Sequence, residues 1–207
     1  MWFDKIGGNC QTSDMKESIA DSRQQIILTA AWFAFAAYGY RKTSMDDIAR
    51  GAAMSRPALY LHYRNKRDIF RSLARQYYED AAAAIEASLA GSGSASEVLA
   101  AAFRAQGGEV IETMLSSPHG MELLDATNAT AADTVMAGEE RLRAIYAAWL
   151  ARVGGAGRGR FTGSEQDMAG TMMAALKGIK MAGTDYATYQ TRVALLAAMI
   201  GAGLEAE

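Results

Sequence analysis

The sequence predicts an all-α chain, and three observations carry that prediction. Apolar residues recur at three- and four-residue spacing through most of its 207 positions. No stretch alternates apolar and polar residues as a half-buried strand would, and no hairpin dipeptide separates two apolar runs. The breaks between periodic stretches carry helix-capping residues at Thr43-Ser44 and Ser55 and a flexible run, GSGSAS, at 91–96.

Residues 1–20 are polar, contain glycine and lack a period, and are read as a flexible arm. The first helix then places Ile27, Ala31 and Phe35 on one face and ends at Gly39, a C′ glycine. A second helix opens at Thr43-Ser44, where either Thr43 with Asp46 or Ser44 with Asp47 forms a capping box. Met45, Ile48 and Ala49 are its buried stripe. A third short helix starts after Ser55, with Pro57 in the first turn, where a missing N–H costs nothing. Leu59 and Tyr63 point inward, and Arg56, Ala58, Tyr60 and His62 take the other face.

A longer helix spans about 66–89, with Ile69, Leu73, Tyr77 and Ile85 on one side. Beyond the GSGSAS break, Leu99, Phe103, Val110 and Met114 mark a helix weakened at Gly107-Gly108. Ser117-Pro118 ends it. Leu142, Ile145, Tyr146, Trp149, Leu150 and Val153 form the clearest stripe of all, and residues 154–160, GGAGRGR, are a loop. Two last helices lie near 164–182 and 185–203.

Composition excludes several classes. One cysteine, Cys10, leaves no internal disulfide and no multi-cysteine zinc site, and two separated histidines make a histidine metal cluster unexpected. No apolar run reaches the roughly 20 residues of a membrane span, and the start lacks a secretory pattern, so the expected setting is cytoplasmic. There is no Gly-x-Ser-x-Gly, no Gly-x-Gly-x-x-Gly and no phosphate loop. No enzyme activity, catalytic residue, metal or cofactor is expected.

Charge is distributed unevenly. The formal net charge is −2, yet residues 41–75 hold nine basic and three acidic residues, while 76–207 hold nine basic and sixteen acidic. A basic head on an acidic body suits a polyanion partner; a solvated charged face is the other reading. Two short helices joined by small residues make a helix-turn-helix, whose second helix is small enough for a major groove. Arg56 is suited to guanine O6 and N7. Thr43, Ser44 and the helix start near Lys66 suit phosphate, and Tyr60 and His62 suit backbone positioning.

The stretch 39–70 resembles the DNA-binding domain of TetR-family transcriptional regulators. The matching positions are Gly39-Tyr40, Thr43-Ser44, Ile48-Ala49, Met54-Ser55, Leu59-Tyr60, Tyr63 and Lys66, and the likeness covers roughly residues 22–70. Two positions depart from the pattern: Ala53 stands where the turn usually has glycine, which should strain it, and Met54 where valine is usual.

The resemblance implies an N-terminal three-helix helix-turn-helix domain (21–65) and a helical C-terminal ligand-binding and dimerisation domain (66–207). It implies DNA contacts from Thr43, Ser44, Ser55, Arg56, Pro57, Ala58, Tyr60, His62 and Lys66. It further implies a homodimer on a palindromic operator in double-stranded DNA, released when a small ligand moves the fourth helix. Small residues at Ala169-Gly170, Ala174-Ala175, Gly178 and Ala182-Gly183 suit pairing through the last two helices, or filling of a single chain's core. An apolar ligand cavity would draw on Phe103, Met114, Met121, Tyr146, Trp149 and Met172, for a mainly hydrophobic small molecule. The rival function is a helical sensor or scaffold whose basic head meets an acidic protein or a membrane.

Overall fold

The structure is a computed structural model that describes residues 10–154, 163–182 and 185–205, with the side chains of 10–21 and 154 left aside. Its elements are α1 (Cys10–Tyr38), α2 (Met45–Gly51), α3 (Arg56–His62), α4 (Lys66–Leu89), α5 (Ala95–Ser116), α6 (Gly120–Gly154), α7 (Glu165–Met181) and α8 (Tyr186–Glu205). No strand occurs among the described residues.

Helix α1 begins at Cys10, so helical backbone reaches into the stretch read from the sequence as an arm; residues 1–9 lie outside the described residues. Its buried face is Ile27, Leu28, Ala31, Ala34 and Phe35. Gly39 ends it at φ 81°, its N–H donating to Phe35 O at 2.9 Å.

Of the two possible capping boxes, Ser44 with Asp47 forms. The Asp47 N–H donates to Ser44 Oγ at 3.2 Å and the Ser44 N–H donates to Asp47 Oδ2 at 3.0 Å. The turn to α3 passes through Ala53 at φ 52°, the left-handed region that the sequence expects glycine to occupy. Ser55 caps α3, accepting from the Ala58 N–H at 3.3 Å. Seven residues are too few for a helix to stand alone. α3 is held by fully buried Leu59 and by Tyr63, 8% exposed.

Asn65 caps α4. The start of α4 packs into the N-terminal core: Phe70 meets Phe35 with ring centroids 5.4 Å apart and Tyr40 at 4.9 Å, both edge-on. Farther along, α4 lies against α5 and α6, α5 against α8, and α6 against α7. Two breaks bend the long helices: Gly108 (φ 53°, ψ −163°) in α5 and Ala131 (φ −133°, ψ 27°) in α6. The sequence flags the first through its glycine pair. It gives no sign that residues 120–141 continue the helix of Leu142–Val153. At Gly138 the Tyr78 ring of α4 occupies the space a Cβ would need, and at Gly201 of α8 the Ser96 backbone of α5 does.

Candidate nucleic-acid interface

Helix α3 presents one buried and one open face. Leu59 and Tyr63 are turned in, while Arg56, Pro57, Tyr60, Leu61 and His62 are exposed and Ala58 is half-buried. Ser55 is exposed, with its hydroxyl engaged in the cap. The fixed φ of Pro57 suits the first turn, so this end of α3 is stiff where its side chains project.

Arg56 is not free. Its Nη1 donates to Asp46 Oδ2 of α2 at 3.0 Å and its Nη2 to the Tyr60 hydroxyl at 3.4 Å, with the guanidinium 5.6 Å from the Tyr60 ring centre. The Tyr60 hydroxyl and the Asp46 charge both raise its pKa, so it stays a cation. The contacts hold the exposed guanidinium between Asp46 of α2 and Tyr60 one turn along α3.

Two residues expected to contact phosphate turn their side-chain donors inward in the structure. Thr43 is 1% exposed and its hydroxyl donates to Gly39 O at 2.7 Å and Ala34 O at 3.1 Å. It therefore locks the α1–α2 turn. Lys66 turns its ammonium onto three backbone carbonyls, Tyr40 O, Arg41 O and Thr43 O, at 2.8, 2.9 and 2.9 Å, and lies 4.8 Å from the Tyr40 ring centre. All three donors are spent. Burial lowers its pKa, against the opposing Glu122 charge. Lys66 thus staples the start of α4 to the turn before α2. The sequence shows a cation at a helix start but not the three carbonyls folded over it.

The exposed cations of the basic segment that carry no ion pair among the described residues are Arg41, Lys42, Arg64, Arg67 and Arg75. Arg64 and Arg67 flank the N-terminus of α4, and Arg41 and Lys42 precede α2. Sequence reasoning also misses Leu61. It is 87% exposed, an apolar side chain left in water on the open face of α3. Its only sequence signal is that it falls off the Leu59–Tyr63 stripe.

A corner of the C-terminal domain grips this unit. The Ser117 hydroxyl donates to Ala36 O at 2.7 Å, and the Arg41 N–H donates to Glu122 Oε1 at 2.8 Å. Glu122 fills the space beside Gly39 that a Cβ would take, and its Oε2 lies 3.6 Å from His119 Nδ1. His119 therefore belongs to the joint between the α5–α6 corner and the α1–α2 turn.

Two cavities open behind the joint. One of about 370 Å³ lies among α4–α8, lined by Tyr77, Tyr78, Phe103, Gln106, Ile111, Met173 and Lys180. The other, about 420 Å³, is walled by α1, α4, α5, α6 and the end of α7 and lined by Trp32, Phe70, Leu73, Tyr77, Tyr78, Met114, Leu124 and Lys180. Of the expected cavity residues, Phe103 lines the first and Met114 the second. The other four fall elsewhere: Met121 is 48% exposed, Tyr146 and Met172 are core, and Trp149 lines a third hollow of about 320 Å³ at the far end, with Leu89 and Leu204. An apolar stripe on a helix shows which face is buried, not whether it meets a void.

Comparison with known proteins agrees with this architecture. Residues 27–73 match the amino-terminal domain of "Bacterial regulatory proteins, tetR family". A regulator of the helix-turn-helix type, YezE of Bacillus subtilis, is 35% identical over 74 residues, 36% of this chain and 38% of that protein. The transcriptional repressor Rv1474c of Mycobacterium tuberculosis is 39% identical over 62 residues, 30% of this chain and 33% of that protein. The chain thus spans little more than a third of the length of these curated relatives.

Among solved structures, the fatty acid degradation regulator FadR of Bacillus halodurans has a TM-score of 0.65 at 16% identity, covering 98% of this chain and 100% of that one. The TetR-family regulator PfmR of Thermus thermophilus has a TM-score of 0.64 at 20% identity, covering 86% and 98%. At these identities the likeness is one of fold. Residues 27–73, with their helix-turn-helix and capped α3, thus match the amino-terminal domain of the tetR family of bacterial regulatory proteins, and the all-helical body shares the fold of the solved regulators.

Proposed function

We propose that the chain is a homodimeric transcriptional regulator. In this reading α3 enters the major groove of a near-palindromic operator, and a small molecule in the C-terminal cavities releases it. One observation carries the DNA reading: the open face of α3 displays exposed Arg56 together with Tyr60 and His62, flanked by Arg41, Lys42, Arg64 and Arg67. Arg56 is the base-reading group. Tyr60, His62 and the flanking cations hold phosphates, and Leu61 is suited to a thymine methyl.

Pairing through α7 and α8 is supported by their outer faces. Leu195 and Met199 of α8 are 60% and 65% exposed, one turn apart. Ala174, Gly178 and Ala182 are exposed on or just after α7, and a Cβ at Gly178 would meet nothing. Ala169, by contrast, is fully buried core, and Gly183 lies outside the described residues. Small outward residues let two helix pairs approach closely, and a dimer sets two copies of α3 one helical turn of DNA apart.

Release is supported by the joint between domains. The α5–α6 corner holds the end of α1 through Ser117 and the α1–α2 turn through Glu122, and α5 and α6 also wall both cavities.

The test is selection of duplexes from a random pool by the full-length protein, followed by binding at two salt concentrations. The proposal expects an enriched inverted repeat, retained at moderate salt and bound by two chains. Recovery of no preferred sequence, with binding lost uniformly as salt rises, contradicts it. No described helix is long and apolar enough to cross a membrane.

A further inference from the structure

The ligand-release reading leaves the chemistry of the ligand open, and one side chain narrows it. Lys180, near the end of α7, lines both cavities, as do Tyr77, Tyr78 and Ile111. The two voids therefore lie side by side, with these side chains as a common wall. Their volumes, about 370 and 420 Å³, each fall within the roughly 300–1,000 Å³ of small-molecule sites.

The other charged side chains that line the first cavity with Lys180 are already paired. Lys177 pairs with Glu139 at 3.0 Å, and Arg143 pairs with Glu140 at 2.6 Å. Asp80 and Glu109 also line the second cavity, but both are exposed to water. Among the described residues no carboxylate lies within ion-pairing distance of Lys180 and no acceptor takes a hydrogen bond from it. Half-buried and without a partner, its ammonium is desolvated, which depresses its pKa although the Glu139 charge opposes this.

A second donor lines the first cavity. Gln106 gives its carbonyl groups to tyrosines: its backbone O accepts from Tyr77 at 2.9 Å and its Oε1 from Tyr146 at 2.9 Å. Its amide Nε2 is left facing only the Met173 thioether at 3.8 Å, a weak acceptor. A lysine without an anion and an amide without a proper acceptor thus share a void whose remaining walls are mainly aromatic and aliphatic. A half-buried donor with no good protein acceptor is open to an acceptor that a ligand brings.

We propose that the adjoining cavities bind an amphipathic organic anion, with its carboxylate at Lys180 and its apolar body along the second cavity toward Leu73, Met114 and Leu124. A neutral molecule of the same shape fills the apolar walls and leaves the lysine unmatched. A cationic one sets like charges together. The site therefore discriminates by head group more than by tail. This rests on the cavities being the effector site, and direct binding without DNA separates the two questions.

The experiment is calorimetric titration of the full-length protein, without DNA, with decanoate, decanol and decylamine, and in parallel with 2-naphthoate and 2-naphthol. At least one acid binds tenfold or more tightly than its alcohol, and decylamine binds weakest of the alkyl set. Lys180→Met removes the acid's advantage and leaves alcohol binding within twofold, while Lys180→Arg retains it; Lys180→Gln serves if the methionine variant does not fold. Equal affinity for acid and alcohol in both series, binding of none of the five, or an acid preference that survives Lys180→Met or Lys180→Gln overturns the proposal. Anion binding that depends on Lys180 but leaves DNA affinity unchanged keeps the site and contradicts only the release reading.

Discussion

The side chain best placed to read a base, Arg56 of α3, is held by a carboxylate on the preceding helix: its Nη1 lies 3.0 Å from Asp46 Oδ2. Both groups are open to solvent, so the pair adds little to stability. Its consequence is orientation. If α3 enters the groove as proposed, Asp46 also places a negative charge beside the DNA, which disfavours contact that does not satisfy Arg56.

Removing the restraint should therefore loosen selectivity. Asp46→Asn is expected to raise affinity for unrelated duplex a few-fold and narrow the gap to the preferred site, with melting temperature unchanged. Arg56→Ala should cost about 1–3 kcal/mol on the preferred site and relax base preference there. Fluorescence anisotropy on both duplexes reads both effects. Unaltered selectivity in both variants removes the base-reading role.

Lys66 should behave as a structural residue. Lys66→Met leaves three carbonyls without their donor and is expected to destabilise the protein by about 1–3 kcal/mol. The slope of binding against salt, which counts phosphate contacts, should stay as in the wild type. A flattened slope with normal stability would return Lys66 to the phosphate contacts.

The turn between α2 and α3 carries a correctable strain. An L-residue in the left-handed region costs about 1–2 kcal/mol, and the extra freedom of glycine in the unfolded chain takes back about 0.4–1. Ala53→Gly should therefore stabilise by about 0.5–1 kcal/mol in chemical unfolding. A loss of stability would show that Ala53 is not held at its φ of 52°.

Acid should weaken the caps. The Ser44 hydroxyl and N–H hold the Asp47 carboxyl below its ordinary 3.8. The Ser94 N–H and hydroxyl do the same for Glu97, whose ordinary value is 4.5. The Arg71 guanidinium holds Asp133 below its ordinary 3.8. A depressed folded pKa gives stability that is full above the unfolded value and is lost as pH falls through the folded one. Melting temperature should be level from neutral pH down to about 5, then fall below about 4. Asp47→Asn should start lower and fall less steeply. Equal acid loss in that variant would show the cap does not contribute.

Much of this is legible in the sequence because it is local. Gly39, Ser44 with Asp47, Ser55 and Pro57 act within a few residues of themselves, so the helix ends and the open face of α3 follow from spacing. The strained Ala53 is legible for the same reason. Thr43 and Lys66 mislead because their partners lie on other elements: Ala34 for the first, the carbonyls of residues 40, 41 and 43 for the second. The cavity residues fail more broadly. Tyr146 and Phe103 share a stripe chemistry, yet a void depends on the bends at Gly108 and Ala131 and on how several helices meet. The Ala131 bend has no glycine or proline to announce it.

The central claim is that α3 reads duplex DNA in two copies. Its most direct test is hydroxyl-radical footprinting of the full-length protein on the duplex enriched from a random pool, with Arg56→Ala alongside. The account predicts two protected patches one helical turn apart, related by a dyad, with protection lost or shifted in the variant. A single patch, protection independent of sequence, or a footprint identical in wild type and variant would contradict it.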